Sequence, residues 1–79
     1  MILYGKVTRY FQNRGYGFIY GEDGNTYFIH HSNLQGEYLD NGYYVHFTPF
    51  QNDRSDYNAK NVIVIVTAVQ AATAAKPIN

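Results

Sequence analysis

Rings spaced two residues apart occur twice in this chain. Tyr16 and Phe18 lie in Arg14-Gly15-Tyr16-Gly17-Phe18-Ile19, and Phe28 and His30 in Tyr27-Phe28-Ile29-His30. Successive side chains of an extended strand point to opposite faces, so rings at this spacing share one face. Flat π-surfaces gathered on one face can stack nucleobases, at ~1–3 kcal/mol per base. Arg14, immediately ahead of the first pair, stands where a phosphate would pass. The residue types for other chemistry are missing or misplaced. There is no cysteine, hence no thiolate ligand or thiol nucleophile. His30 and His31 are adjacent and point to opposite sides of a strand, and His46 belongs to another segment, so no metal site is expected. No paired carboxylates are placed to hold an ion or serve His30 as a base, which argues against a nuclease. The chain is expected to be no enzyme and to need no cofactor.

These rings must be carried by strands. Leu3 to Phe11 is rich in β-formers and ends at Gln12-Asn13-Arg14-Gly15; Tyr16 to Tyr20 and Thr26 to His30 alternate around the turn Gly21-Glu22-Asp23-Gly24-Asn25. A polar segment from His31 to Gly42 follows, with a short turn at Ser32-Asn33-Leu34. Tyr43 to Phe50 reads as a fourth strand, with Pro49 at an edge or bulge, and Ala59 to Val66 as a fifth. No ten-residue stretch before residue 66 has a helical period. Five short strands without helices, in a chain of 79 residues, predict a closed or partly open barrel. If Ile19 and Ile29 turn inward, Tyr16, Phe18, Phe28 and His30 must turn outward, side by side. The organisation expected is one domain over residues 1–66 and an Ala-rich tail over 67–79 that the pattern leaves as helix, strand or disorder.

Composition both supports and strains this reading. Nine tyrosines and five phenylalanines are more rings than a small core can bury, which leaves some at the surface. Yet six Lys and Arg balance six Asp and Glu, whereas phosphate attraction usually supplies much of the affinity for nucleic acid. The N-terminus carries no signal-peptide pattern, and no apolar run approaches a membrane span, so a cytoplasmic protein without membrane contact is expected. Val62 to Val66 is more apolar than a strand with one wet face should be. Either the tail or a loop covers it, or it pairs with a second copy. The expectation is therefore a monomer, or a homodimer through the last strand and tail.

Arg14 to Ile19 matches the core of the aromatic RNA-binding motif: a cation, then glycine, ring, glycine, ring and an aliphatic residue. The RNA-recognition-motif fold also uses such a segment, but it needs two amphipathic helices for which this chain has no room. The chain instead resembles the cold-shock domain family. Gly5-Lys6-Val7 resembles the opening of that family's first strand. Arg14-Gly15-Tyr16-Gly17-Phe18-Ile19 is similar to its first ribonucleoprotein motif and Tyr27-Phe28-Ile29-His30-His31-Ser32 to its second. Asn41-Gly42, Val45-His46-Phe47 and Ala59-Lys60-Asn61-Val62 match its fourth and fifth strands. The resemblance covers about residues 3 to 66, and it implies an all-β, five-stranded antiparallel OB-fold barrel with a C-terminal extension.

Residue by residue, the resemblance implies base stacking by Tyr16, Phe18, Phe28 and His30. Arg14 stands for the motif's lysine, and Arg54 for a basic residue of a late loop, flanked here by Asp53 and Asp56. Arg9 replaces an exposed tryptophan and can itself stack as a flat cation. His31 replaces a stacking phenylalanine, and Tyr38 stands approximately for a loop aromatic. Tyr10, beside Arg9, is counted among the nucleic-acid-binding residues although its place falls between rim and core. Tyr4, Tyr43, Tyr44 and Tyr57 are expected to be structural or rim residues. The implied function is binding of single-stranded RNA or DNA, as an RNA chaperone acting in transcription antitermination or translation under cold or other stress. The alternative is an oligomeric or protein-interaction module on the same scaffold, with weak nucleic-acid binding.

Overall fold

The computed structural model describes residues 1–67, and the alanine-rich tail expected over 67–79 lies almost wholly outside them. Five strands follow one another: β1 (Leu3–Phe11), β2 (Tyr16–Gly21), β3 (Thr26–His30), β4 (Tyr44–Phe50) and β5 (Asn58–Val66), with one 3₁₀ turn at His31–Asn33. They close in the order β1-β2-β3-β5-β4, with β4 returning to β1. Every pairing is antiparallel except the short closing contact of β3 with β5, parallel through Phe28 and Asn58. The fourth strand starts one residue later and the fifth one residue earlier than the pattern suggested. Pro49 sits past the last β1–β4 pair, Leu3 with Phe47, where no ladder to β1 needs its missing N–H.

Inward-facing residues of all five strands meet in one core: Val7, Ile19, Ile29, Val45, Phe47 and Val62 are fully buried there. Ile19 and Ile29 thus take the inner face, as alternation requires. Leu34 and Leu39 come from the long connection between β3 and β4 and seal the barrel. That connection also serves β5 beyond its short contact with β3. Gln35 Nε2 donates to Asn61 Oδ1 (2.8 Å), and the Val64 N–H donates to Glu37 Oε1 (2.7 Å). The carboxylate therefore occupies a backbone donor on the edge where another strand would otherwise add.

Two irregularities set which side chains face out. A bulge in β1 between Val7 and Arg9 places both Thr8 and Arg9 outside and returns Tyr10 to the inside. In β5, Asn61 takes a positive φ of 52°, after which Val62 is buried while Ile63 and Ile65 face outward. At the β2–β3 turn Asp23 accepts from the Tyr27 hydroxyl (2.5 Å) and from the Asn25 N–H (3.1 Å). The Tyr27 hydroxyl is the main reason the Asp23 carboxyl lies below its ordinary value, while burial pushes the Tyr27 phenol up.

Candidate nucleic-acid interface

The turn between β1 and β2 sets the first pair of rings. The N–H groups of Arg14 and Gly15 both donate to the Phe11 carbonyl, at 3.0 and 2.8 Å, and Gly15 adopts φ +72°. A side chain at Gly15 would stand 2.6 Å from the His31 ring, and the His31 N–H donates to the Gly15 carbonyl at 2.8 Å. Glycine here thus lets the 3₁₀ turn after β3 press against the motif. At Gly17 a Cβ would collide with the Arg9 carbonyl oxygen and come within 2.8 Å of the Tyr10 Cα. The absence of a side chain at Gly17 brings β1 and β2 together while Tyr16 and Phe18 stay outside.

In register, Tyr16 lies opposite His30, and Phe18 opposite Phe28. The rings touch one another. Tyr16 and Phe28 are 5.7 Å apart at a 31° tilt, and Phe18 meets Phe28 edge to face at 6.0 Å. Tyr16 and Phe18 are perpendicular at 6.3 Å. Each ring is half-buried, because its neighbours cover its sides on the outer face of the sheet. Beside them His30 and His31 stack at 4.3 Å, and His30 is tied through Nδ1 to the Ser32 hydroxyl (2.9 Å) and N–H (3.2 Å). His31 is not turned away from the face, since the 3₁₀ turn breaks the alternation that separates neighbours on a strand.

Two further rings join this face that the sequence reading did not select. Phe11 lies 5.3 Å from Tyr16, and the Arg9 guanidinium sits over it at 5.7 Å. Arg9 and Phe11 together thus occupy the β1 side of the ring cluster. The signal was legible, because Phe11 pairs with Tyr16 across a two-residue-period hairpin, but it needed the bulge to count the faces correctly. On the other side, Phe50 lines a groove of about 560 Å³ with Phe18, Phe28, His30, Arg54 and Asn58. Lys60 lies over the Phe50 ring at 5.4 Å. Asn58, buried, donates to the carbonyls of Phe50 (3.3 Å) and Ser55 (2.9 Å), and Asn52 caps the N–H groups of Arg54 and Ser55 at 2.9 Å each. These bonds hold the loop that carries Arg54 against the groove.

Tyr10 is corrected. The residue is 7% exposed, it packs in the core under Gly17, and burial pushes its phenol up. Its backbone N–H donates to Asn41 Oδ1 at 2.7 Å, which anchors the long loop rather than a ligand. Tyr38 is 61% exposed on that loop, edge-on to Tyr43 at 6.1 Å and outside the ring cluster. The neighbouring Asp40 carboxylate holds its phenol above the ordinary value.

The neutral net charge is unevenly spread. Arg9 and Lys60 lie over rings of this face, Arg14 precedes it and Arg54 lines its groove. Glu22 and Asp23 lie in the β2–β3 turn and Glu37 and Asp40 in the long connection, while Asp53 and Asp56 share the loop of Arg54. A net charge of zero therefore coexists with a face edged by cations. Among the described residues, no cluster of three or more His, Asp or Glu side chains could hold a metal ion. No helix among them is long and apolar enough to cross a membrane.

The sequence profile described as the 'Cold-shock' DNA-binding domain matches residues 3–65, which takes in β1 to β4 and all of β5 but Val66. Cold shock protein 1 of Lactiplantibacillus plantarum is 40% identical over 62 residues, a stretch that covers 75% of this chain and 92% of that protein. A closed five-stranded barrel with rings on the outer face of β2 and β3, matched by that profile over residues 3–65, identifies the chain as a member of the cold-shock domain family of nucleic-acid-binding proteins.

Proposed function

We propose that this protein binds single-stranded RNA or DNA by stacking unpaired bases on Tyr16, Phe18, Phe28, His30 and His31, and acts as an RNA chaperone. The observation that carries the reading is the outer ring cluster of β2 and β3, with Ile19 and Ile29 buried behind it. Phe11 under Arg9 extends the cluster on one side, and Phe50 under Lys60 on the other. Stacking needs a base that is free of its own neighbours. Duplex bases are already stacked, so open strands bind and duplexes do not. By mass action, a protein that binds only the open form shifts a hairpin toward it without any catalytic step. That is the physical content of chaperone activity in antitermination or translation under cold stress.

Arg9, Arg14 and Arg54 contact phosphates in this reading. Two to four such contacts give a slope of about −1.4 to −2.8 in log K against log salt. Rings rather than hydrogen bonds supply most of the affinity, so sequence preference is mild. The test is a fluorescence-anisotropy titration of labelled heptamers of oligo-dT and oligo-U against a blunt-ended hairpin whose stem has seven base pairs. Micromolar or tighter binding of the open strands, with the duplex much weaker, is expected. Equal affinity for both forms, or none for either, would end the proposal and favour a protein-interaction role for the barrel.

A further inference from the structure

A second group of rings lies on the outer surface, away from the cluster described above. Tyr20 continues the row of Tyr16 and Phe18 along β2: all three alternate outward, about 6.7 Å apart per step. Across the sheet Phe18 pairs with Arg9, and Tyr20 with Lys6. On the next strand Lys6 pairs with Tyr44, and Tyr4 with His46. The row therefore turns from β2 onto β4 across β1, where Lys6 stands between Tyr20 and Tyr44. Tyr4, Tyr20 and Tyr44 are 56%, 53% and 40% exposed, and His46 meets Tyr4 edge to face at 6.1 Å. The Lys6 ammonium stands 5.6 Å over the Tyr44 ring. Tyr4, Lys6, Tyr20, Tyr44, Glu22 and Ile65 line a groove of about 530 Å³. Its carboxylate, on Glu22, is engaged by the Tyr4 N–H at 2.8 Å.

We propose that the single-stranded track continues past Phe18 over Tyr20 and Lys6 into this groove, where Tyr44 and Tyr4 take further bases and Lys6 a phosphate. The inference rests on the stacking function proposed above and extends its footprint. Nucleic acid is favoured as the occupant for two reasons. The rings run on from the stacking face along one strand, and a lysine sits among them in the same ring-and-cation arrangement that Arg9 makes with Phe11 and Lys60 with Phe50. A strand long enough to cover both parts would wrap around β1, so affinity should keep rising beyond the length that fills the first cluster.

The experiment compares labelled oligo-dT of six and twelve nucleotides on the wild type, on the double variant Tyr20→Ser/Tyr44→Ser, and on Lys6→Gln. The double variant should bind the 12-mer at least about fivefold more weakly and the 6-mer within twofold of wild type. Lys6→Gln should flatten the salt slope for the 12-mer by about 0.7 and leave that for the 6-mer unchanged. Circular dichroism confirms that each variant is folded. Unchanged 12-mer binding, or an equal loss with both lengths, overturns the extension alone. Failure of wild type to bind even the 6-mer removes the stacking function with it. Light scattering covers the remaining occupant: if the double substitution dissociates a dimer and leaves both affinities intact, the groove belongs to a second copy and the proposal is wrong.

Discussion

Replacing Phe28 with alanine separates a ring that binds from a ring that only packs. Phe28 is paired with Phe18 in register and touches both Tyr16 and Phe18, so its removal takes two aromatic contacts from the outer face. Each such contact is worth ~0.5–1.5 kcal/mol beyond burial, which puts the stability loss at about 1–3 kcal/mol. A domain of this length has roughly 4–12 kcal/mol in total, so the barrel should survive, with a Tm lower by about 4–8 °C per kcal/mol. Binding should suffer separately. Loss of one stack lowers affinity about five- to 150-fold. The assay is anisotropy with a labelled heptamer at 10 °C, with ellipticity recorded on the same samples. Ile29→Ala is the control, because Ile29 is fully buried on the opposite face and its truncation should cost ~2–5 kcal/mol and threaten folding itself. A folded Phe28→Ala protein with wild-type affinity would refute stacking at this ring. An unfolded Phe28→Ala beside a tolerant Ile29→Ala would show that the faces are inverted.

Three other perturbations test separate parts of the structure. Gly17→Ala drives a methyl group into the Arg9 carbonyl and the Tyr10 backbone, which cannot yield as a side chain tip could; thermal melts should show a loss of at least ~1–3 kcal/mol, and an unchanged Tm would disprove the close approach. Arg14→Ala should flatten the salt dependence of heptamer binding by about 0.7 in slope, and a parallel shift with the slope retained would show that Arg14 meets no phosphate. For Asp23, whose folded carboxyl is lowered chiefly by the Tyr27 hydroxyl, the contribution to stability is present above its unfolded value near pH 4 and lost as the pH falls through the lower, folded value. Melts between pH 6 and pH 2.5 should therefore show the gap between wild type and Asp23→Asn closing below about pH 4. A gap that is constant with pH would mean the carboxylate charge is not what the turn uses.

The division between sequence and tertiary structure can be followed through single residues. Alternation alone determined that Tyr16 and Phe18 share a face opposite Ile19, and that Phe28 and His30 share one opposite Ile29, because the period of a strand is two whatever the barrel does later. The spacing of the two motifs determined the family and hence the barrel. What alternation cannot count is an irregular residue. The β1 bulge at Thr8 sent Arg9 outward, Tyr10 into the core and Phe11 to the ring cluster, and no local signal in Val7-Thr8-Arg9 announces it. The 3₁₀ turn likewise put His31 beside His30, where a continued strand would have separated them. Phe50 and Arg54 reach the groove only because β5 closes against β3 at Asn58, a contact between residues 30 positions apart in sequence. The distribution of charge was also decided in three dimensions. A balanced composition says nothing about which acids lie in the β2–β3 turn and the long connection and which, as Asp53 and Asp56, stay beside Arg54 at the groove; only the closed barrel decides that.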